Sequence, residues 1–184
     1  MTGSQQRGGF LRAVTVLVGG SILAHGLTAA ALPILARLYS PTDFGLLAVF
    51  SGTLSIIAVA ACLRYELAIP LPESDEDAAQ LLALSLLCAL SVSVALAVAV
   101  ALAPGWISAR LGQPRLAPHL WLLPVGVLLA GAFSALQFWY VRKKKFSLLA
   151  YTKVAQSAGS AGTQVTLGWI AAEPLGLLLG HVLN

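Results

Sequence analysis

The sequence predicts an all-α fold, a polytopic bundle of transmembrane helices, and three observations lead to this expectation. Hydrophobic residues make up 58% of the 184 residues and charged residues only 10%, far below the roughly 25% charged of an average soluble domain. The apolar residues gather in runs of about 20, the length at which a helix crosses a hydrocarbon core of about 30 Å. The basic residues cluster between these runs, a pattern typical of membrane topology rather than of nucleic-acid binding.

The apolar runs predict five complete spans and a truncated sixth, together one N-terminal transmembrane bundle over residues 1–184. The predicted spans are 13–36, 44–63, 78–103, 118–141, 146–172 and the incomplete 174–184. As a helix the last run reaches only about 16 Å, roughly half of a bilayer. We therefore expect that the chain is cut in mid-span and that a complete protein continues beyond it.

The first span follows Arg7 and Arg12 and carries Pro33 near its end. Proline removes the bond to the carbonyl of Ala29 and can kink the helix. A cleaved signal peptide with small residues near Ala29 is the alternative interpretation of this segment. Because the apolar stretch continues past these alanines and the rest of the chain is polytopic, we predict an uncleaved span.

The second span has a marked start and a charged finish. Ser40 is expected to cap the helix, Pro41 suits its first position, and Asp43 can return a hydrogen bond from the third. The run then holds no ionisable side chain until Arg64 and Glu66. We expect the third span to begin with a similar capping box, in which residues 74–77 take the same roles.

The basic residues predict an orientation. Arg7 and Arg12 precede the first span, and residues 142–145 fill the short loop between spans four and five with one arginine and three lysines. Four predicted spans separate the two clusters, and an even number of crossings places both on the same side of the membrane. The positive-inside rule then predicts a cytoplasmic N-terminus.

The fifth span is the most polar, and its polar residues share one helical face. They recur in steps of three and four: Lys153, Gln156, Ser157, Ser160, Thr163 and Gln164. A lysine at the centre of a span costs about 2.5–3.5 kcal/mol on insertion scales, so this face should avoid lipid. Packing against other helices and lining of a watery cavity are both open interpretations.

No catalytic or metal-binding constellation is recognisable. The three histidines, His25, His119 and His181, lie in different predicted elements, and no paired carboxylates occur inside a span. The two cysteines, Cys62 and Cys88, lie in apolar runs without metal-ligand spacing and suit small buried positions. We therefore expect neither an enzyme, nor a metal site, nor a cofactor.

Three residues outside the fifth span are further candidates. His25 lies beside a glycine in the first span, and interrupted helices often line transport sites. Arg64 and Glu66 share a face only if their segment is extended. The functional interpretation makes Glu66 and His25 parts of a gate or cavity mouth, and the simpler interpretations are helix packing and an interfacial anchor.

The order of these features resembles a known family. LARLYSPTDFGLLAVF followed by LRYELAIPLPESDEDA is similar to the N-terminal region of bacterial polysaccharide transporters, the O-antigen and exopolysaccharide flippases of the multidrug/oligosaccharidyl-lipid/polysaccharide exporter superfamily. QFWYVRKKKFSLLAYTKVAQS resembles their basic loop and fifth helix, and GLLLGHVLN resembles the start of their sixth. The resemblance implies one bundle of a two-bundle transporter in the bacterial inner membrane.

The resemblance also implies a cargo and partners. Such proteins move an undecaprenyl-diphosphate-linked oligosaccharide between leaflets by alternating access, for surface polysaccharide biosynthesis. The diphosphate would need cationic or hydrogen-bonding groups, for which Arg64, Lys153, Gln156 and Gln164 are the candidates. The expected partners are this lipid-linked oligosaccharide, membrane lipids and the missing C-terminal helices, with no nucleic acid. The alternatives are a multidrug or small-solute antiporter of the same superfamily, and a non-transporting membrane scaffold or truncated relic.

Overall fold

The computed structural model describes the backbone of residues 3–171 and 174–183 and the side chains of residues 15, 18–170 and 174–183. Its helices are α1 (Gly3–Leu38), α2 (Pro41–Ala61), α3 (Asp75–Leu102), α4 (Pro104–Arg110), α5 (Leu122–Arg142), α6 (Phe146–Ala171) and α7 (Pro174–Val182). Two short 3₁₀ helices, Tyr65–Ala68 and Pro114–His119, connect them. No strand occurs in the described residues, and the predicted all-α fold is confirmed.

Among the described residues, four helices are long and apolar enough to cross a membrane by length and composition. They are Val18–Leu38 of α1, Pro41–Ala61, Asp75–Leu102 and Leu122–Arg142. Helix α6 has 26 residues, about 39 Å at 1.5 Å per residue, but its polar face keeps it out of this set. A membrane bundle is therefore established, whereas the count of five complete spans stays a prediction.

The helix starts follow from local sequence. Ser40 forms the predicted capping box: its Oγ accepts the Asp43 N–H at 3.3 Å, and its own N–H donates to Asp43 Oδ2 at 3.1 Å. Ser74 Oγ accepts the Asp77 N–H at 3.0 Å, which is one half of the capping box expected there. Helix α5 begins only at Leu122, later than the start expected for the fourth span, because residues 114–119 form a proline-rich 3₁₀ turn.

Helices α1 and α6 lie side by side and run in the same direction. Gly20 of α1 packs on Ala150 near the start of α6, and Tyr39 just beyond α1 packs on Gly168 near the end of α6. The starts of both helices therefore lie at one end of the bundle, together with the 142–145 loop. We call this the Arg142 end and the opposite one the Tyr39 end. The backbone at Arg7 and Arg12 belongs to α1, and their side chains lie outside the described residues.

Helices α3 and α5 form an antiparallel pair. Ser93 Oγ of α3 donates to the carbonyl of Pro124, in the first turn of α5, at 2.7 Å. Gly131 lies so close to α3 that an added Cβ would come within 2.8 Å of Ala89 Cβ. A larger residue than glycine would push the two helices apart, since helix backbones approach closely only over small residues.

The Arg142 end of this pair is closed by charged groups. The Arg142 guanidinium donates to the carbonyls of Pro72 at 2.5 Å and Ser74 at 2.9 Å, and its Nε lies 3.2 Å from Asp75 Oδ1. Lys143 Nζ lies 2.6 Å from Asp75 Oδ2. Asp75 lies in the first turn of α3, before the apolar run begins. Arg142 and Lys143 of the basic loop thus hold the loop over residues 72–75 against the end of α5.

Helix α7 packs between the α1–α6 layer and the α2–α5 layer. Leu178 and Val182 join the main core with Phe50 and Leu54 of α2 and Val127 of α5. Leu177 joins a second cluster with Leu35 and Tyr39. Gly180 allows α7 to lie against α6, because an added Cβ would be 2.9 Å from the carbonyl oxygen of Ser160 and would collide with Gln164.

Candidate functional site: a polar cavity between three helices

A small polar cavity lies where α1, α5 and α6 meet. Its volume is about 260 Å³, and its lining comes from all three helices: Ser21, Ala24 and His25 of α1, Phe133 of α5, and Lys153, Gln156 and Ser157 of α6. Three of the predicted candidates, His25, Lys153 and Gln156, therefore meet in one site. They come from distant parts of the sequence, and the parallel packing of α1 on α6 brings them together.

Lys153 sets the electrostatic character of the cavity. It lies seven positions into α6, which corresponds to a depth of about 10 Å along the helix axis. Its side chain is half-buried and has no hydrogen-bond or ion-pair partner among the described residues. Because the cavity lining holds no carboxylate, the ammonium group of Lys153 is available for an anionic ligand or for water.

His25 connects the cavity to the surface of the bundle. It is exposed and also lines an open groove of about 630 Å³ along α1, together with Val18, Ile22 and Ala29. Its imidazole can donate and accept a hydrogen bond in the neutral form and carries a charge when protonated. A ligand in the groove can therefore reach His25 and, past it, the polar groups of α6.

Gln156 and Phe133 line a second cavity as well as the first. This second cavity has a volume of about 490 Å³ and includes Ser55 of α2 and His181 of α7. His181 packs edge to face on Phe50, with the ring centroids 6.4 Å apart. The Gln156 amide offers two donors and an acceptor, so it can serve a polar ligand from either cavity.

The predicted polar face of α6 both packs against other helices and lines a cavity. Ser157 and Ser160 are buried, and Gln164 lies against Gly180 of α7 with its Nε2 3.4 Å from Ser160 Oγ. These residues pack helices together. Lys153 and Gln156 line the cavity, and Ser157 also contributes to its lining. The spacing of the polar residues predicted this face of α6. The neighbouring helices determine which of its residues pack and which line the cavity.

Arg64 and Glu66 lie at the Arg142 end, in different environments. Arg64 is exposed and has a positive φ of 64°, an uncommon conformation for a residue other than glycine. Glu66 is buried at 6% exposure, and its Oε2 has no hydrogen-bond partner among the described residues. Neither Arg64 nor Glu66 is among the residues that line the polar cavity, and Gln164 is not among them either.

Phe133 and Ser21 line the cavity but were not among the residues predicted from the sequence. Phe133 lies in an apolar run in which nothing distinguishes it from its neighbours. Ser21 follows a glycine pair in the first span. A helical wheel of α1 would have placed Ser21 and His25 on one face, because they are four residues apart, and this signal could have identified Ser21.

A match to a known protein family shows what this chain is related to. The sequence profile of the polysaccharide biosynthesis protein family matches residues 34–184. The chain belongs to this family. The resemblance to polysaccharide transporters is thereby confirmed, and the family assigns the chain a role in polysaccharide biosynthesis or export. No curated protein and no solved structure matches the chain.

The matched residues cover most of the bundle. They include Lys153 and Gln156 of the cavity as well as Arg64, Glu66 and Gln164. His25 lies before the first matched residue. The α6 residues of the polar cavity therefore lie within the segment that matches the family, and His25 lies outside it.

Proposed function

We propose that this chain forms one wall of a flippase that moves an undecaprenyl-diphosphate-linked oligosaccharide across the bacterial inner membrane. The N-terminus is cytoplasmic in this proposal, and further transmembrane helices supply the opposite wall. The protein binds and moves its cargo without making or breaking covalent bonds in it, so it is not an enzyme. The membership in the polysaccharide biosynthesis family supports the glycan part of the proposal.

The observation that carries the proposal concerns Lys153, which has no hydrogen-bond or ion-pair partner among the described residues and lines a cavity in which they include no carboxylate. A cation at this depth needs an anionic partner, and a diphosphate is the anionic group of the proposed cargo. His25 and Gln156 add hydrogen-bond donors within the same lining. Arg64 and Gln164 stay weaker candidates for contacts with the cargo, and Glu66 and His25 stay candidates for its gate.

The test uses charge variants of Lys153 in cells that depend on this protein. Lys153→Glu should reduce surface polysaccharide and leave lipid-linked oligosaccharide on the cytoplasmic side, because a carboxylate repels the diphosphate. Lys153→Arg should retain export. Lys145→Gln, which removes a positive charge outside the cavity, is the matched control. Normal export by Lys153→Glu at wild-type protein levels would refute the role of Lys153.

One observation favours a second candidate, a multidrug or small-solute antiporter of the same superfamily. Glu66 is buried with an unpartnered carboxylate oxygen, and buried acids in membrane proteins often serve coupling ions. An antiporter should lose cation-coupled efflux in Glu66→Gln while Lys153→Glu stays active. The flippase predicts the reverse ranking for glycan export, so the same two variants separate the two functions.

A further inference from the structure

A second cationic site lies at the Tyr39 end of the same two helices. A groove of about 390 Å³ runs between α1 and α6 and is lined by Pro33, Ile34, Arg37, Leu38 and Trp169. Arg37 lies in the last turn of α1, so the groove is at the level where the helix leaves the apolar run. It combines an apolar wall with one guanidinium group and one indole ring.

Arg37 differs from the other two arginines at this end of the bundle. The Arg110 guanidinium lies 5.2 Å from the ring centroid of Trp106, and Arg115 lies 3.6 Å from Asp43. Both have a partner within the protein. Arg37 is exposed and has neither a hydrogen bond nor an ion pair with any described residue.

The chemistry of the groove suits a lipid phosphate. A guanidinium group donates two parallel hydrogen bonds to phosphate oxygens. Trp169 is 77% exposed, and an indole at this level can face acyl chains with its ring and the headgroup with its N–H. Pro33 and Ile34 line the deeper part of the groove, where an acyl chain would lie.

We propose that this groove binds the phosphate headgroup of an anionic phospholipid, with Arg37 on the phosphate and Trp169 along the acyl chain. The described residues of the lining include one cation and no carboxylate, and this favours an anionic ligand. We choose a bilayer phospholipid as the occupant because Arg37 and Trp169 are both exposed near the ends of their helices, the level at which lipid headgroups lie. The proposal is independent of the flippase function and of the orientation in the membrane.

The test uses Trp169 as the reporter in the full chain, with Trp106, Trp121 and Trp139 replaced by phenylalanine. In nanodiscs, brominated phosphatidylglycerol should quench Trp169 with an apparent affinity about fivefold above that of brominated phosphatidylcholine, as expected for one basic residue at a membrane surface. Arg37→Gln should remove this difference, and Arg37→Lys should keep part of it. Arg110→Gln is the matched control, since it removes the same charge at the same end outside the groove.

Two results would overturn the proposal. The first is equal quenching by the two brominated lipids, or an equal loss of selectivity in Arg37→Gln and Arg110→Gln, which would leave only the general attraction of a basic surface. The second is displacement of brominated phosphatidylglycerol by an equimolar polyisoprenyl phosphate, which would assign the groove to an isoprenoid lipid. Because Arg37 has no described protein partner, its replacement should leave the helical circular dichroism unchanged.

Discussion

Tyr39 offers the sharpest test of how the bundle is assembled, because its side chain joins three helices. The ring is 4% exposed and packs on two glycines, Gly168 of α6 and Gly176 of α7. Its hydroxyl donates to the carbonyl of Gln164 at 2.8 Å. Any added Cβ at either glycine would collide with the phenol, so these glycines form the socket that Tyr39 fills.

Two replacements of Tyr39 separate the hydrogen bond from the packing. Tyr39→Phe removes only the bond to Gln164, which in membrane proteins is worth about 0.6 kcal/mol on average and about 1.7 kcal/mol at most. Tyr39→Ala also empties the glycine socket, and loss of a buried aromatic ring costs about 3–5 kcal/mol. The ring should therefore contribute several times more than the hydroxyl to the free energy of unfolding.

The measurement is reversible unfolding in mixed micelles, with the anionic detergent as denaturant and helical circular dichroism as the signal. Tyr151→Ala is the control, because Tyr151 is 71% exposed and a surface replacement should change the free energy of unfolding by about 0.5 kcal/mol or less. If Tyr39→Ala unfolds at the same detergent fraction as Tyr151→Ala, the socket is not a stabilising element and the reasoning fails.

Three further predictions follow from other contacts. Arg142→Ala should lower the free energy of unfolding by about 1.5–3 kcal/mol because it removes charge-assisted bonds to the 72–75 loop. Lys144→Ala, at an exposed position, should leave this free energy unchanged. Equal losses in the two variants would contradict a stabilising role of the Arg142 contacts. Gly180→Ala should destabilise the fold by about 1–3 kcal/mol through overpacking. Gly159 has open space around it, so Gly159→Ala should stabilise α6 by up to about 1 kcal/mol. Unfolding curves that shift alike in the two variants would refute the close approach of α7 to α6. Burial, and secondarily Asp43, raises the pKa of Tyr39 above 10.0. The contribution of Tyr39 to stability is therefore complete below pH 10.0 and declines as the pH rises through the pKa of the folded state. An absorbance titration in which Tyr39→Phe removes no late-titrating phenol would contradict this.

The helix starts could be predicted from sequence because they depend on contacts a few residues apart. The bonds between Ser40 and Asp43 join positions i and i+3, and any chain with this pattern before an apolar run has the same option. The start of α5 was less predictable. An apolar run that begins at Pro118 looks like a span, and only the 3₁₀ turn over residues 114–119 delays the helix to Leu122.

The contacts of Arg142 and Lys143 with the 72–75 loop could not be predicted in detail, although their ingredients were visible. Two predicted spans, the third and the fourth, separate the acidic residues before α3 from the basic 142–145 loop, so the sequence places both on the same side. The sequence did not indicate that Arg142 and Lys143 would meet Asp75, because this depends on α3 and α5 being neighbours. The basic loop is therefore more than a topology signal, since two of its residues hold a loop in place.

The cavity could be predicted only in part, because it depends on the helices that cover the polar face of α6. The period of α6 showed that Lys153, Gln156 and Gln164 share a face, and the cost of a polar face in lipid showed that it must be covered. Which residue packs and which faces open space depends on the covering helices. Gly180 lets α7 approach Gln164 closely, whereas the space between α1 and α5 stays open beside Lys153.

The two helix pairs of the bundle differ in how their charges are used, and this difference indicates where function lies. In the α3–α5 pair, Arg142 is paired and the helices touch over Gly131, so this pair has little left to offer a ligand. In the α1–α6 pair, Arg37 and Lys153 have no described partner, and each lines an open space. Unpaired cations in or near a bilayer are costly unless a ligand compensates them. The α1–α6 seam is therefore the surface on which anionic ligands, whether cargo or lipid, should bind.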